Sequence, residues 1–227
     1  MSLSAAMVSG AAIDSGTATG PIIAVVPFAD YTDQSAVDSI LPLIEARLAR
    51  EQVRLIPVAE LREVLRSFRI RSAGMISRED AADILSVRPI DFFLLGSIDL
   101  YIEGAVPEAG FSLRLVRASD MRIIWARSTA GNGEDFAGMF GLGRITSMQA
   151  MIPKLIETVL PDIAAAVKLT PASLNQNKPT VALVPFDNLT VNRFAGDVFA
   201  SVVLSELVAW GATVIEPGEV NDLFLRN

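Results

Sequence analysis

Ile22-Ile23-Ala24-Val25-Val26-Pro27-Phe28-Ala29-Asp30-Tyr31-Thr32 is a short apolar run broken by Pro-Phe and followed by a polar turn. It returns 158 residues on as Thr180-Val181-Ala182-Leu183-Val184-Pro185-Phe186-Asp187-Asn188-Leu189-Thr190. Each copy continues with an apolar-periodic stretch and a second β-branched run, at 53–57 in the first and 212–217 in the second. The first copy runs on well past that point, whereas the second stops at Asn227. Two strands make a marginal sheet in water, so the second copy is expected to be a truncated repeat that cannot close a sheet of its own.

Outward from these runs, periodicity predicts the elements. Residues 22–28 barely alternate, as in a strand buried on both faces. Val37, Ile40, Leu41, Ile44 and Leu48 share one helical face, with Pro42 inside it. Leu61, Val64, Leu65 and Phe68 mark a second amphipathic helix entered through Pro57, and Ser77-Arg78-Glu79-Asp80 reads as a capping box for a third. Strand–helix alternation predicts a parallel start to the sheet. Strands at 91–102, 111–118 and 121–129, separated by turns, then predict antiparallel hairpins, and the alternation Phe111-Ser112-Leu113-Arg114-Leu115 reads as a strand with one face in water. A long helix is expected over 147–167. The expected fold is α/β, a mixed parallel and antiparallel sheet covered by helices, followed by a second β-α-β-α start. The expected organisation is a tail or expression scar at 1–20, an α/β domain at 21–168, a linker at 169–179 and the incomplete repeat at 180–227.

With 227 residues, 51 % of them apolar, the chain can build a sizeable core. A net charge of −7 argues against a phosphate-binding footprint for nucleic acid or an anionic membrane surface. Histidine and cysteine are both absent. That removes the Ser-His-Asp triad, the thiol nucleophile, histidine-rich zinc sites and CxxC redox pairs. No run of about eighteen apolar residues exists to form a membrane-spanning helix.

Residues 23–28, the strand Asp91-Phe92-Phe93-Leu94-Leu95-Gly96-Ser97-Ile98, the hairpin carrying Leu113–Val116 and Ile124-Trp125-Ala126, and the glycine-rich segment after it follow one another in a familiar order. In this the chain resembles the CsgG-type superfamily of bacterial envelope proteins, which includes CsgG, LpoB and the amino-terminal domain of TolB. The resemblance covers residues 22–167, and 180–227 in truncated form. It implies a compact α/β domain in the periplasm, attached to the outer membrane through a lipid anchor that this chain does not carry. It also implies non-enzymatic assembly or activation work by protein–protein contact in the cell envelope, with no cofactor. The loops at 104–110 and 131–147 are too short for the transmembrane hairpins of a CsgG pore.

Two places could carry interaction chemistry. Gly138-Met139-Phe140-Gly141-Leu142-Gly143-Arg144-Ile145 approaches the phosphate-cradling GxxxxGK[ST] loop but has Arg144 in place of the lysine and Ile145 in place of the hydroxyl. Without phosphate chemistry, this is a flexible loop whose Met139 and Phe140 tuck under the sheet or dock on a partner. Asp30 and Asp187, each near a Pro-Phe, either hold a cation or a partner's basic group, or close Asx-turns. The expected function is envelope assembly, secretion or activation through a protein partner, with self-association through 180–227 as one way to cover the half-copy. The alternative is a ligand- or nucleotide-binding module using the loop from Gly131 to Arg144.

Overall fold

Four consecutive apolar residues make β1 (Ile22–Val25), and all four are buried, as a parallel strand covered on both faces requires. The computed structural model describes residues 20–32, 34–51, 53–71, 74–138, 142–168, 180–184 and 186–220. β1 pairs in parallel with β3 (Arg54–Ile56) on one side and β4 (Phe92–Ile102) on the other. The two-residue β2 (Ala29–Asp30) also joins β4 in parallel. β4, β5 (Glu108–Arg117) and β6 (Arg122–Asn132) then form the expected antiparallel meander. At the far side β7 (Thr180–Val181) and β8 (Thr213–Ile215) pair in parallel, and β8 runs antiparallel to β6. One eight-stranded mixed sheet results, in the order β3-β1-β4-β5-β6-β8-β7 with β2 beside β4.

Helices cover both faces. α1 (Val37–Leu48), α4 (Met148–Val159) and α5 (Ile163–Lys168) bury Ile40, Ile44, Met151, Leu155 and Ile163 with the Phe92, Leu94, Phe111 and Leu115 side of the sheet. α2 (Val58–Ser67), α3 (Arg78–Val87) and α6 (Ala195–Ala209) bury Leu61, Leu65, Ile84 and Leu204 with the Phe93, Leu95 and Val116 side.

Local chemistry sets the ends of these elements. The Ser77 hydroxyl accepts from the Asp80 amide and caps α3 as the capping-box pattern predicts. α1 runs through Pro42 in its second turn. The single helix expected over 147–167 is instead two, α4 and α5, separated around Pro161. A proline there has no amide to continue the ladder, and its ring clashes with the carbonyl four residues earlier. The 111–118 strand begins earlier, at Glu108, which shortens the 104–110 turn. The expected tail and linker, together with Met139, Phe140 and Gly141, lie outside the described residues.

Alternation misassigns one face of β5. β5 does not have a wet face: Ser112 and Arg114 are as buried as Phe111 and Leu113. The segment after residue 180 explains this, because α6 packs over β6 and β5, and β8 extends the sheet beyond β6.

Candidate functional site

The polar residues on the α6 side of β4, β5 and β6 meet under that helix. Strand register brings Ser97 opposite Ser112, and Ser112 opposite Ser128. Asp99 follows Ser97 on β4 at a register shift between Ile98 and Leu100, where an irregularity re-aims the strand's side chains. The Ser97 hydroxyl donates to one Asp99 carboxylate oxygen and Ser112 to the other, both at 2.6 Å. Ser112 contacts Ser128, and Ser128 contacts Ser205 of α6, each at 2.9 Å. Since each hydroxyl has one proton, an ionised Asp99 orients this relay: Ser112 donates to Asp99, and Ser128 donates to Ser112.

Beside it stands a buried ion pair. Arg114 donates through Nε to Glu216 Oε2 at 2.7 Å and through Nη2 to Glu216 Oε1 at 2.6 Å, and Nη2 also meets the Gly74 carbonyl at 2.6 Å. Glu216 is 0 % exposed. Burial works against the Arg114 charge, but the facing Glu216 carboxylate, with Tyr31 and Asp99 nearby, more than offsets it and holds the guanidinium above its usual range. This fork joins β5 to the residue just past β8, 102 positions away. Arg78 with Glu219, and the stacked rings of Tyr31 and Phe194 at 5.0 Å, tie the same two parts of the chain together. A cavity of about 100 Å³ opens above the cluster, lined by Tyr31, Ser97, Arg114, Asp197, Ser201 and Leu204 among others. Burial, with Asp197 next to it, pushes the Tyr31 phenol up to about 12.

Desolvation lifts the Asp99 carboxyl from 3.8 to about 6, against the pull of the Ser112 and Ser97 hydrogen bonds and the Arg114 charge. In the unfolded chain the same group titrates near its ordinary value. Between about pH 4 and pH 6 the folded state therefore binds more protons, and stability falls as pH rises through that window. Above it the ionised form costs about 3 kcal/mol. Asp99→Asn keeps an acceptor for one serine and offers an amide to the other, so it is expected to raise the melting temperature at pH 7.5 by several degrees. The gain over wild type should vanish below pH 4. A pH series of thermal melts checks this, and a difference that stays constant from pH 4 to pH 7.5 would contradict the assignment.

The residues singled out from sequence lie elsewhere. Asp30 accepts from the Thr32 amide at 2.9 Å and the Thr32 hydroxyl at 2.6 Å, forming an Asx-turn ahead of α1. Asn188 makes contacts of the same kind to Thr190 at 3.0 and 2.8 Å, while Asp187 stands exposed beside it. Gly138 donates to the Leu142 carbonyl, Gly143 adopts φ 86°, and Arg144 pairs with Glu134 at 2.6 Å. Sequence reading missed Asp99, Ser112, Arg114, Ser128 and Glu216 altogether. The one available signal was Arg114 between two leucines on a strand beside Gly96-Ser97, which alternation assigned to water. Among the described residues no group of three or more acidic side chains could hold a metal ion, and no helix is long and apolar enough to cross a membrane.

No protein-family model matches the chain, and no curated protein matches it. Among solved structures it is similar to lipoprotein GNA1162 from Neisseria meningitidis, at 18 % identity and a TM-score of 0.48 over 64 % of this chain and 99 % of that one. It is similar to the LpoB C-terminal domain from Escherichia coli at 17 % identity and a TM-score of 0.38, over 51 % of this chain and 85 % of that one. TolB from Acinetobacter baumannii is similar at 15 % identity and a TM-score of 0.36, over 66 % of this chain and 28 % of that one. LpoB and TolB are also two of the proteins that the sequence pattern resembles.

Proposed function

We propose that this chain is a non-enzymatic protein of the bacterial cell envelope, periplasmic and acting by contact with a protein partner through the outward face of α6 and the segment before it. The observation that supports this most directly is the helix itself. α6 is apolar nearly all round, a composition that belongs to a helix covered on every side, yet only its Leu204–Ser205 side is fully buried. Phe199, Val202 and Trp210 share the opposite face, with Trp210 80 % exposed, and Phe186 packs edge-on against Phe199 at 5.0 Å. Leu189 and Val191 are exposed just before the helix. Contiguous exposed apolar surface of this kind marks contact sites in soluble proteins.

The clasp of Arg114 and Glu216 then has a role: it presents α6 rigidly rather than leaving the half-copy to shift. The lack of histidine and cysteine supports the non-enzymatic reading. Self-association through the same face is a form of this proposal. The alternative loop from Gly131 to Arg144 is less favoured, because Arg144 is already paired with Glu134.

A photo-crosslinking side chain at Val202, exposed to an envelope extract, is expected to give a discrete protein adduct that Phe199→Glu abolishes. Sedimentation of the purified chain shows whether that partner is a second copy. Labelling no stronger than from the same side chain at Ser67 would sink the reading.

A further inference from the structure

Arg114 keeps one donor group unused. Its Nε and Nη2 are taken by Glu216 and the Gly74 carbonyl, and among the described residues Nη1 has no hydrogen-bond partner. Only 8 % of the Arg114 side chain is accessible, so the unused donor lies where an unmade hydrogen bond is costly. Arg114 lines the cavity of about 100 Å³ under α6. Three further polar groups on that wall are unused: among the described residues the Tyr31 hydroxyl, the Ser201 hydroxyl and the Asp197 carboxylate make no hydrogen bond or ion pair.

Asp197 and Ser201 lie one turn apart on α6, and Leu204 follows three residues on. One face of the helix therefore gives the cavity an acid, a hydroxyl and an apolar surface. Leu183, just past β7, extends the apolar wall. Tyr31 enters from the first copy with its ring held against Phe194. The charges around this space are unequally matched. Arg114 is balanced by Glu216, and Asp99 beneath it already accepts from two serine hydroxyls. Asp197 has no such partner. Tyr31 lies in the field of both Asp197 and Arg114, whereas the groups that act on Arg114 are Glu216, Tyr31 and Asp99. The phenol thus stands between a cationic donor and an unmatched acid.

We propose that this cavity binds a small zwitterion, a free α-amino acid with a short aliphatic side chain. Two donors, Arg114 Nη1 and the Tyr31 hydroxyl, suit the two oxygens of a carboxylate. A plain carboxylate would meet the negative charge of Asp197, but one that carries its own ammonium group pairs with it, and the Ser201 hydroxyl accepts from the same group. Leu183 and Leu204 cover the side chain. Size sets the limit: an apolar cavity of about 150 Å³ admits benzene, so this smaller one, open on one side, takes an amino acid between alanine and valine. The last residue of a peptide has no α-ammonium and would leave Asp197 unmatched. The site is independent of any contact made by the outward face of α6.

The test is isothermal titration of the full chain with L-alanine and L-valine, and with three relatives of valine. Isobutylamine lacks the carboxylate, isovalerate lacks the amine, and N-acetyl-L-valine has an uncharged amide in its place. The free amino acids are expected to bind at one site, and each of the three relatives at least about tenfold more weakly, as the loss of one charged hydrogen-bonding group implies. Asp197→Asn and Tyr31→Phe, the second of which keeps the ring against Phe194, should each weaken valine binding about tenfold. Asp38→Asn, at an exposed acid in the first turn of α1, should leave it unchanged. Melting temperatures without ligand confirm that the variants fold. No binding of either amino acid at millimolar concentration overturns the proposal. Equal binding of isovalerate or N-acetyl-L-valine overturns it in favour of an anion site, and equal binding of isobutylamine in favour of a cation site. Valine binding that survives both substitutions places the ligand elsewhere and overturns it too.

Discussion

Glu216→Ala is expected to cost about 3–5 kcal/mol of folding free energy, the range for removing one partner of a buried pair and leaving the other charge uncompensated. Arg114 would remain buried on β5 with the Gly74 carbonyl as its remaining hydrogen-bond partner at 2.6 Å. At about 2–4 °C per kcal/mol for a chain of this length, the melting temperature should fall by roughly ten degrees or more. Because the fork spans the seam between β5 and the segment beyond β8, protease sensitivity within 180–220 should rise before the rest of the molecule is cut. Replacing both partners, as Arg114→Met with Glu216→Leu, should recover most of the loss, since apolar side chains of similar volume do not leave a stranded charge. Chemical denaturation of the two single variants and the double measures this. A double variant as unstable as the sum of the singles would contradict the account.

Gly74→Ala is expected to be nearly as damaging, at about 2–4 kcal/mol from left-handed backbone strain and overpacking combined. Gly74 holds φ 69°, and a Cβ there would fall 2.7 Å from the Gly96 carbonyl oxygen and 2.9 Å from the Ala29 nitrogen. Those are backbone atoms of two strands, so they cannot swing aside. The amide of Gly74 donates to the Pro27 carbonyl at 2.8 Å, and its own carbonyl receives Arg114. A shift here is transmitted to the loop after β1 and to the ion pair together. Gly104→Ala, where a Cβ would meet nothing within 4 Å, should change stability by less than about 0.5 kcal/mol. Urea midpoints for the two variants decide it, and a loss at Gly74 no larger than at Gly104 would show that the strands can adjust.

Both predictions concern residues that sequence reading passed over. Alternation in Phe111-Ser112-Leu113-Arg114-Leu115 correctly separated two faces of β5. It also assigned Ser112 and Arg114 to water, because a polar residue satisfied by a distant partner has the same pattern as a solvated one. Asp30 shows the opposite case: its partners are two residues away, in Thr32, close enough along the chain for a local reading to reach them.

The sequence by itself determined what depends on neighbours along the chain. The apolar run of β1, the stripes of α1 and α2, the Ser77 cap and the change from parallel to antiparallel pairing after α3 all follow from local periodicity and capping chemistry. Proline positions were visible too, although the break at Pro161 was overridden by the four-residue apolar repeat around it. Tertiary structure alone decided that β8 lies on β6, that α6 closes the second face of β5, and that Glu216 reaches Arg114 across 102 residues. Burial of a polar side chain depends on which distant segment lies over it, and periodicity records only that one side of a strand differs from the other.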